Sequence, residues 1–345
     1  PFVPGLKGLD DFAGDLVHTA RWDASVLLNG RKVGIIGTGS SAVQTVGAVV
    51  DGVGELTLFQ RSAQWVLPQD NPAYTEEEKA GFRADPDSQR RLHDEISELF
   101  ADGFANAVVD ADSPILAHIA ELCRDHLETV VDVDLRTRLT PDHRAACKRL
   151  VISGDFYEAI QRPHVRLVDA DIDRIEAGGI RTTDGVLHEL DVLVLATGFR
   201  VDRFMRPMEV VGPIGDRLSE AWAERPTAYL SIAVPGLPNL FMLNGPNGPV
   251  GNFSLIEVAE LQMEYVLQLV DRIADGTCRL VSPSTDATEA HEEARTVAAG
   301  KTVWATGCNS WYLDDRGVPM AWPWSFREFQ ARMAAPEMDA YVLTD

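Results

Sequence analysis

Between Arg31 and Arg61 the apolar residues fall into two short runs separated by a stretch of helical period. Val33, Ile35 and Ile36 suit a strand buried on both faces, and Leu56-Thr57-Leu58-Phe59 makes a second. From Thr75 to about Arg138 the pattern turns helical. Leu92, Ile96, Leu99 and Phe100 mark one stripe, and Ile115, Leu116, Ile119 and Leu122 another. Pro86 and Pro114 fit breaks or first-turn positions between these helices. Strands resume at Val165–Val168 and Ile172–Ile175. Ile180–Thr183 and Val186–Leu190 then read as a hairpin turned at Asp184-Gly185. Asp191–Leu195 and Leu240–Leu243 read as short buried strands. A long amphipathic helix is predicted from about Ser254 to Ala274, capped by Asn252 or Ser254.

The first strand runs into Gly37-Thr38-Gly39-Ser40-Ser41-Ala42, which fits the G-x-G-x-x-G/A dinucleotide turn. Gly37 permits the sharp turn, Gly39 lets backbone approach a pyrophosphate, and Ala42 lets the helix pack closely on the strand. The N–H groups and positive end of that helix face the phosphates. The second strand ends in Gln60-Arg61, where an NAD site usually carries Asp or Glu. A guanidinium there suits a 2′-phosphate, so the residues favour NADP(H) over NAD(H).

Composition narrows the class. Hydrophobic residues make up 45% and charged residues 24%, ordinary for a globular protein of about two domains. The net charge of −22 disfavours nucleic acid and anionic membrane faces as partners. No apolar run approaches membrane-spanning length. Cys123, Cys147, Cys278 and Cys308 form neither C-x-x-C nor a metal spacing, so no metal site is expected, and the default is a reduced, cytoplasmic setting. The chain opens at Pro1 with loop-like residues, as if entered mid-protein.

Several segments, in order, resemble the flavin-dependent Baeyer–Villiger monooxygenases of the wider flavin-containing monooxygenase class. Phe12, Gly14, His18 and Trp22 match that family's F-x-G-x-x-x-H-x-x-x-W fingerprint, closed by Asp23 where many members have Pro. Phe59-Gln60-Arg61-Ser62, Cys147-Lys148-Arg149, Leu193–Phe199 and Pro235–Phe241 are similar as well. The resemblance implies an α/β fold: a Rossmann-like NADPH-binding domain with a helical insertion, plus the C-terminal part of a second, FAD-binding Rossmann-like domain. The expected segments are a connector at 1–30, the NADPH domain at 31–190 with its insertion at about 75–138, FAD-domain residues at 191–275 and a substrate or lid region at 276–345. Only one glycine motif is present where the family has two, so the chain looks like a fragment lacking the first FAD-binding segment.

The resemblance also implies a chemistry: NADPH reduces FAD, and O₂ gives a C4a-peroxyflavin that converts a ketone to an ester or lactone. Arg149 matches the active-site arginine, whose alternative is a surface ion pair. Gly37, Thr38, Gly39, Ser40, Ser41, Ala42, Gln44, Arg61, Ser62 and Lys148 match positions facing the nicotinamide cofactor. Ala196, Thr197, Gly198, Asn252 and Phe253 match positions facing FAD, and Trp311 matches a residue near substrate or lid. His18 is expected to link connector and nucleotide domain, and Trp22 is a fingerprint position whose alternative is a plain core residue. Two other readings stay open: an S- or N-oxygenating flavin monooxygenase or other FAD/NADPH oxidoreductase, and a non-catalytic NADP-binding protein.

Overall fold

The computed structural model describes residues 1–69, 71–201 and 203–345. In chain order the strands are β1 Asp15–His18, β2 Lys32–Ile36, β3 Glu55–Phe59, β4 Val66–Leu67, β5 Val151–Ile152 and β6 Val165–Val168. β7 Ile172–Glu176, β8 Gly179–Thr182, β9 Leu187–Glu189, β10 Val192–Leu195, β11 Leu280–Pro283 and β12 Tyr341–Thr344 follow. The helices are α1 Ser40–Val49, α2 Glu76–Ala84, α3 Pro86–Phe100, α4 Pro114–Glu128 and α5 Val133–Arg138. After these come α6 Phe156–Ile160, α7 Leu218–Ala221, α8 Leu255–Ala274, α9 Thr285–Ala299 and α10 Phe326–Met333. The chain divides into two compact units. One holds Pro1–Pro72, His118–Ala145 and Leu150–Arg200; the other holds Ala73–Ala117, Ala146–Arg149 and Val201–Asp345.

The first unit is built on a five-stranded sheet in the order β1-β10-β2-β3-β6, parallel throughout. All four residues of β10 are buried, as a central strand covered on both faces requires. Val192 and Val194 face a core shared with Ala42, Val43 and Val46 of α1 and Phe156 and Ile160 of α6. Leu193 and Leu195 face the opposite core, with Ile175 and Ile180 of the β7-β8-β9 meander. Each such side chain contributes about 1.5–3 kcal/mol by leaving water. The predicted hairpin is present as β8 and β9, with Gly185 at φ +87°. β10 was expected to belong with the FAD-domain residues; it pairs on both sides in this sheet instead.

In the second unit α8 packs with α10 and the antiparallel pair β11·β12 around Val258, Tyr265, Leu269, Trp322 and Phe329. Ser254 caps α8 by accepting from the Glu257 N–H. Leu240–Leu243, expected as a strand, forms none. Asn239 and Asn244 flank it at φ +60° and +52°, a left-handed backbone that a ladder does not accommodate. The helical stretch expected as one insertion is divided: residues up to Ala117 group with the second unit and those from His118 with the first. Pro86 and Pro114 each open a helix. The stripe on α3 stays largely uncovered, with Ile96, Leu99 and Phe100 exposed.

Candidate functional site

In the first unit β2 sits between β3 and β10, so the sheet order reverses there and two turns leave the carboxyl ends of neighbouring strands. Such a reversal opens a crevice in doubly wound sheets. The turn after β2 is Gly37–Gly39. Gly37 has φ +118°, and a Cβ there would meet the Ala196 carbonyl at 2.5 Å. Only glycine serves at that point. At Gly39 a Cβ would meet nothing within 4 Å, which leaves space for a group approaching the backbone. Gly39 caps α1 without any side-chain hydrogen bond, so the first-turn N–H groups carry no capping side chain. Ala42 is fully buried against the sheet, Ser40 is half-buried, and Ser41 and Gln44 are exposed.

Thr38 Oγ1 donates to the Ser62 carbonyl at 2.7 Å, joining this turn to the segment after β3. Arg61 is exposed and forms no ion pair among the described residues. The other turn, Ala196-Thr197-Gly198, follows β10. Thr197 Oγ1 donates to the Phe2 carbonyl at 2.5 Å and lies 3.4 Å from His18 Nε2. The Ala20 N–H donates to His18 Nδ1 at 3.1 Å, which leaves the ring proton on Nε2, facing Thr197. His18 at the end of β1 thus lies against Thr197 at the end of β10. Phe12 packs on the core formed by Leu193, Leu195, Ile175 and Ile180. Gly14 is close-packed, because a Cβ would reach the Asp191 carbonyl. Trp22 is 42% exposed, because it follows β1 at the sheet's outer edge, so its alternative as a plain core residue does not hold.

The second unit gathers the other candidates. Cys147 is bonded to Cys308, which corrects the expectation of four reduced cysteines. Lys148 is half-buried and Arg149 exposed; neither forms an ion pair among the described residues. Tyr312 is buried, and burial pushes its phenol up to about 12 against the opposing charge of Arg149. Trp311 lies against Tyr312 with ring centroids 4.1 Å apart and planes tilted by 30°, and is itself 41% exposed. Gly251 has φ +86°, and a Cβ there would overlap the Tyr312 hydroxyl. The next residue, Asn252, is completely buried with neither side-chain polar atom hydrogen-bonded among the described residues. A buried amide left unmet costs about 1–3 kcal/mol, so this one suits a ligand with both donor and acceptor atoms. Phe253 packs against Phe326 with the rings tilted by 37° and their centroids 4.8 Å apart.

No family model matches the chain. It is 44% identical to an uncharacterized monooxygenase of Mycobacterium tuberculosis over 345 residues, covering 99% of this chain and 69% of that protein. A Baeyer–Villiger monooxygenase of Streptomyces coelicolor is 33% identical over 348 residues, 99% of this chain and 66% of its own length. The structure of cyclohexanone monooxygenase from Rhodococcus sp. Phi1 bound to NADP+ superposes with TM-score 0.85 at 28% identity, covering all of this chain and 73% of that one. The chain belongs to the Baeyer–Villiger flavin monooxygenase family.

Membership makes it an α/β flavin monooxygenase. Among the described residues there is no group of side chains that could hold a metal ion, and no helix is long and apolar enough to cross a membrane. Three features of the site escape sequence reasoning: Tyr312, Gly251 and the Cys147–Cys308 bond. The adjacency of Cys308, Trp311 and Tyr312 is the only trace of them in the sequence. What joins them to Gly251 and Cys147 is tertiary packing.

Proposed function

We propose that this protein carries out NADPH- and FAD-dependent Baeyer–Villiger oxidation, converting a small ketone and O₂ to an ester or lactone. Solved relatives support the nicotinamide cofactor and the substrate class, and a curated relative from Aspergillus niger named an FAD-binding monooxygenase supports the flavin. One cyclohexanone monooxygenase carries NADP+, another carries cyclohexanone, and a steroid monooxygenase carries NADP. Bound flavin supplies the oxygen-transfer chemistry and the nicotinamide supplies the hydride.

The observation that carries the reading is Arg61, a guanidinium with no ion pair among the described residues, just past the end of β3 and beside a glycine turn without a capping side chain. In this proposal the N–H groups of Gly39, Ser40 and Ser41 take the pyrophosphate, with Thr38, Ala42 and Gln44 completing the turn. Arg61 and Ser62 take the 2′-phosphate, and Lys148 is a further cofactor-binding cation. The space at Gly37–Gly39 and the polar groups at the start of α1 fit a dinucleotide. For the flavin, the buried unmet amide of Asn252 ahead of α8 fits a ring edge that both donates and accepts. Phe253 walls that place, and Ala196, Thr197 and Gly198 keep side-chain bulk away from the crevice beside β2.

Arg149 is proposed as the catalytic cation. A guanidinium stays charged at any working pH and stabilises negative charge developing on oxygen. Tyr312 beside it remains a neutral phenol up to about pH 12, so it does not cancel that charge. Trp311 is proposed to border the substrate, and Phe12, Gly14, His18 and Trp22 to fix the connector. A cytoplasmic setting belongs to the same proposal. The test is product analysis of the holoenzyme with NADPH, ¹⁸O₂ and a panel of ketones and sulfides. The expected product is an ester or lactone with one labelled oxygen, lost in Arg149→Ala while flavin remains bound. Sulfoxide alone, or unchanged ester formation by Arg149→Ala, overturns the reading.

A further inference from the structure

Cys147 and Cys308 lie 161 positions apart and are joined by a disulfide with Cα atoms 6.2 Å apart. Cys147 immediately precedes Lys148 and Arg149. Residues Ala146–Arg149 group with the second unit, although their chain neighbours Ala145 and Leu150 group with the first. The bond to Cys308 therefore falls on a four-residue excursion that carries Lys148 and Arg149. A second link runs from Thr306 Oγ1 to Cys147 Sγ at 3.5 Å, and Thr306 Oγ1 also lies 2.7 Å from the Val303 carbonyl. Ala146 is held at φ +64°, a left-handed conformation that non-glycine residues avoid unless their surroundings impose it.

The other end of the bond is equally placed. Cys308 precedes Ser310, whose Oγ accepts from the Tyr312 N–H at 3.2 Å. Tyr312 carries Trp311 on its ring and is the buried phenol that feels the charge of Arg149. The disulfide thus joins the segment bearing Arg149 to the segment bearing Tyr312. The remaining cysteines, Cys123 and Cys278, are single buried thiols.

We infer that the Cys147–Cys308 bond is a redox-reversible tether that positions Lys148 and Arg149 on the second unit, and that a dithiol reductant releases them. In the opening step a thiolate of the reductant attacks the Cys308 sulfur, the less buried of the two at 8% against 1% exposure. The S–S bond breaks and a mixed disulfide forms. The second reductant thiol then displaces Cys308, so the reductant is oxidised to its own disulfide and its two protons end on Cys147 and Cys308. Disulfides that occur in reducing compartments are mostly of this transient, responsive kind. The kinetic consequence rests on the catalytic role proposed for Arg149; the tether itself does not.

The test uses the wild-type holoenzyme after oxidised glutathione and after dithiothreitol. Peptide mapping with alkylation is expected to give a linked Cys147–Cys308 peptide in the first state and two alkylated cysteines in the second. Native trypsin is expected to cut after Lys148 and Arg149 at least ten-fold faster in the reduced state. Ketone oxygenation by the reduced wild type is expected to fall about ten-fold in kcat with little change in KM for ketone. Cys308→Ala is expected to match the reduced enzyme and ignore both reagents. Quantitative alkylation of both cysteines after oxidised glutathione, or equal tryptic rates in the two states, overturns the tether. A tether that opens as described without changing oxygenation overturns the role of Arg149 instead.

Discussion

Thr38 Oγ1 donates a 2.7 Å hydrogen bond to the carbonyl of Ser62, and so fixes the glycine turn after β2 to the residue that follows Arg61. The two halves of the proposed dinucleotide site, the phosphate turn and the guanidinium, are held in register by that bond. Thr38→Val keeps the shape and removes the donor, a loss of about 1 kcal/mol. KM for NADPH is expected to rise about five-fold, with kcat nearly unchanged. An unchanged KM in steady-state kinetics would show that the bond does not position Arg61.

Gly251 lies directly beneath the Tyr312 hydroxyl, at φ +86°. Gly251→Ala adds a Cβ into that contact and strains the backbone, together about 2–4 kcal/mol. The thermal midpoint is expected to drop by roughly 5 °C or more. Adding Tyr312→Phe, which removes the overlapping oxygen, should restore part of the loss. Calorimetry of the two variants decides the point, and a Gly251→Ala protein melting with the wild type contradicts it.

His291 is buried among Tyr229, Trp322 and Trp324, with Arg332 nearby. Burial first, and the Arg332 charge second, depress its pKa to about 4. The imidazole is neutral in the folded protein, whereas the unfolded chain takes up a proton below about pH 6.5. Its contribution is therefore complete above about 6.5 and is lost as pH falls towards 4, by about 3 kcal/mol at most. Melting curves between pH 7 and 4.5 should show His291→Phe losing less stability than the wild type. Parallel losses would mean that the ring is protonated in the folded state.

Local features of this fold were legible in the sequence. The run from Arg31 to Arg61 folds as strand, turn, helix and strand because its signals lie within a few residues of one another. The same holds for the Asp184-Gly185 hairpin and for α8 behind Ser254. What escaped was long-range. β10 reads as a buried strand, yet nothing in Val192–Leu195 says that its partners are β1 and β2. Cys147 and Cys308 meet only through the folded chain. Leu240–Leu243 has strand composition, but the left-handed asparagines on either side deny it a ladder. A large apolar side chain such as Trp22 suits a core as well as a fingerprint position, and only its place at a sheet edge shows that it is half in solvent.

In the proposed site Arg61 reads the phosphate that distinguishes NADPH from NADH. Charge-assisted bonds of this kind contribute about 1.5–3 kcal/mol, so Arg61→Ala should raise KM for NADPH by about 10- to 100-fold. KM for NADH should stay within about two-fold of the wild-type value, since that cofactor has no 2′-phosphate for Arg61 to meet. The decisive measurement is the ratio of kcat/KM for NADPH to that for NADH in the wild type and in Arg61→Ala. If Arg61 reads the phosphate, the ratio collapses towards one; an equal loss with both cofactors, or none with either, would show that it does not.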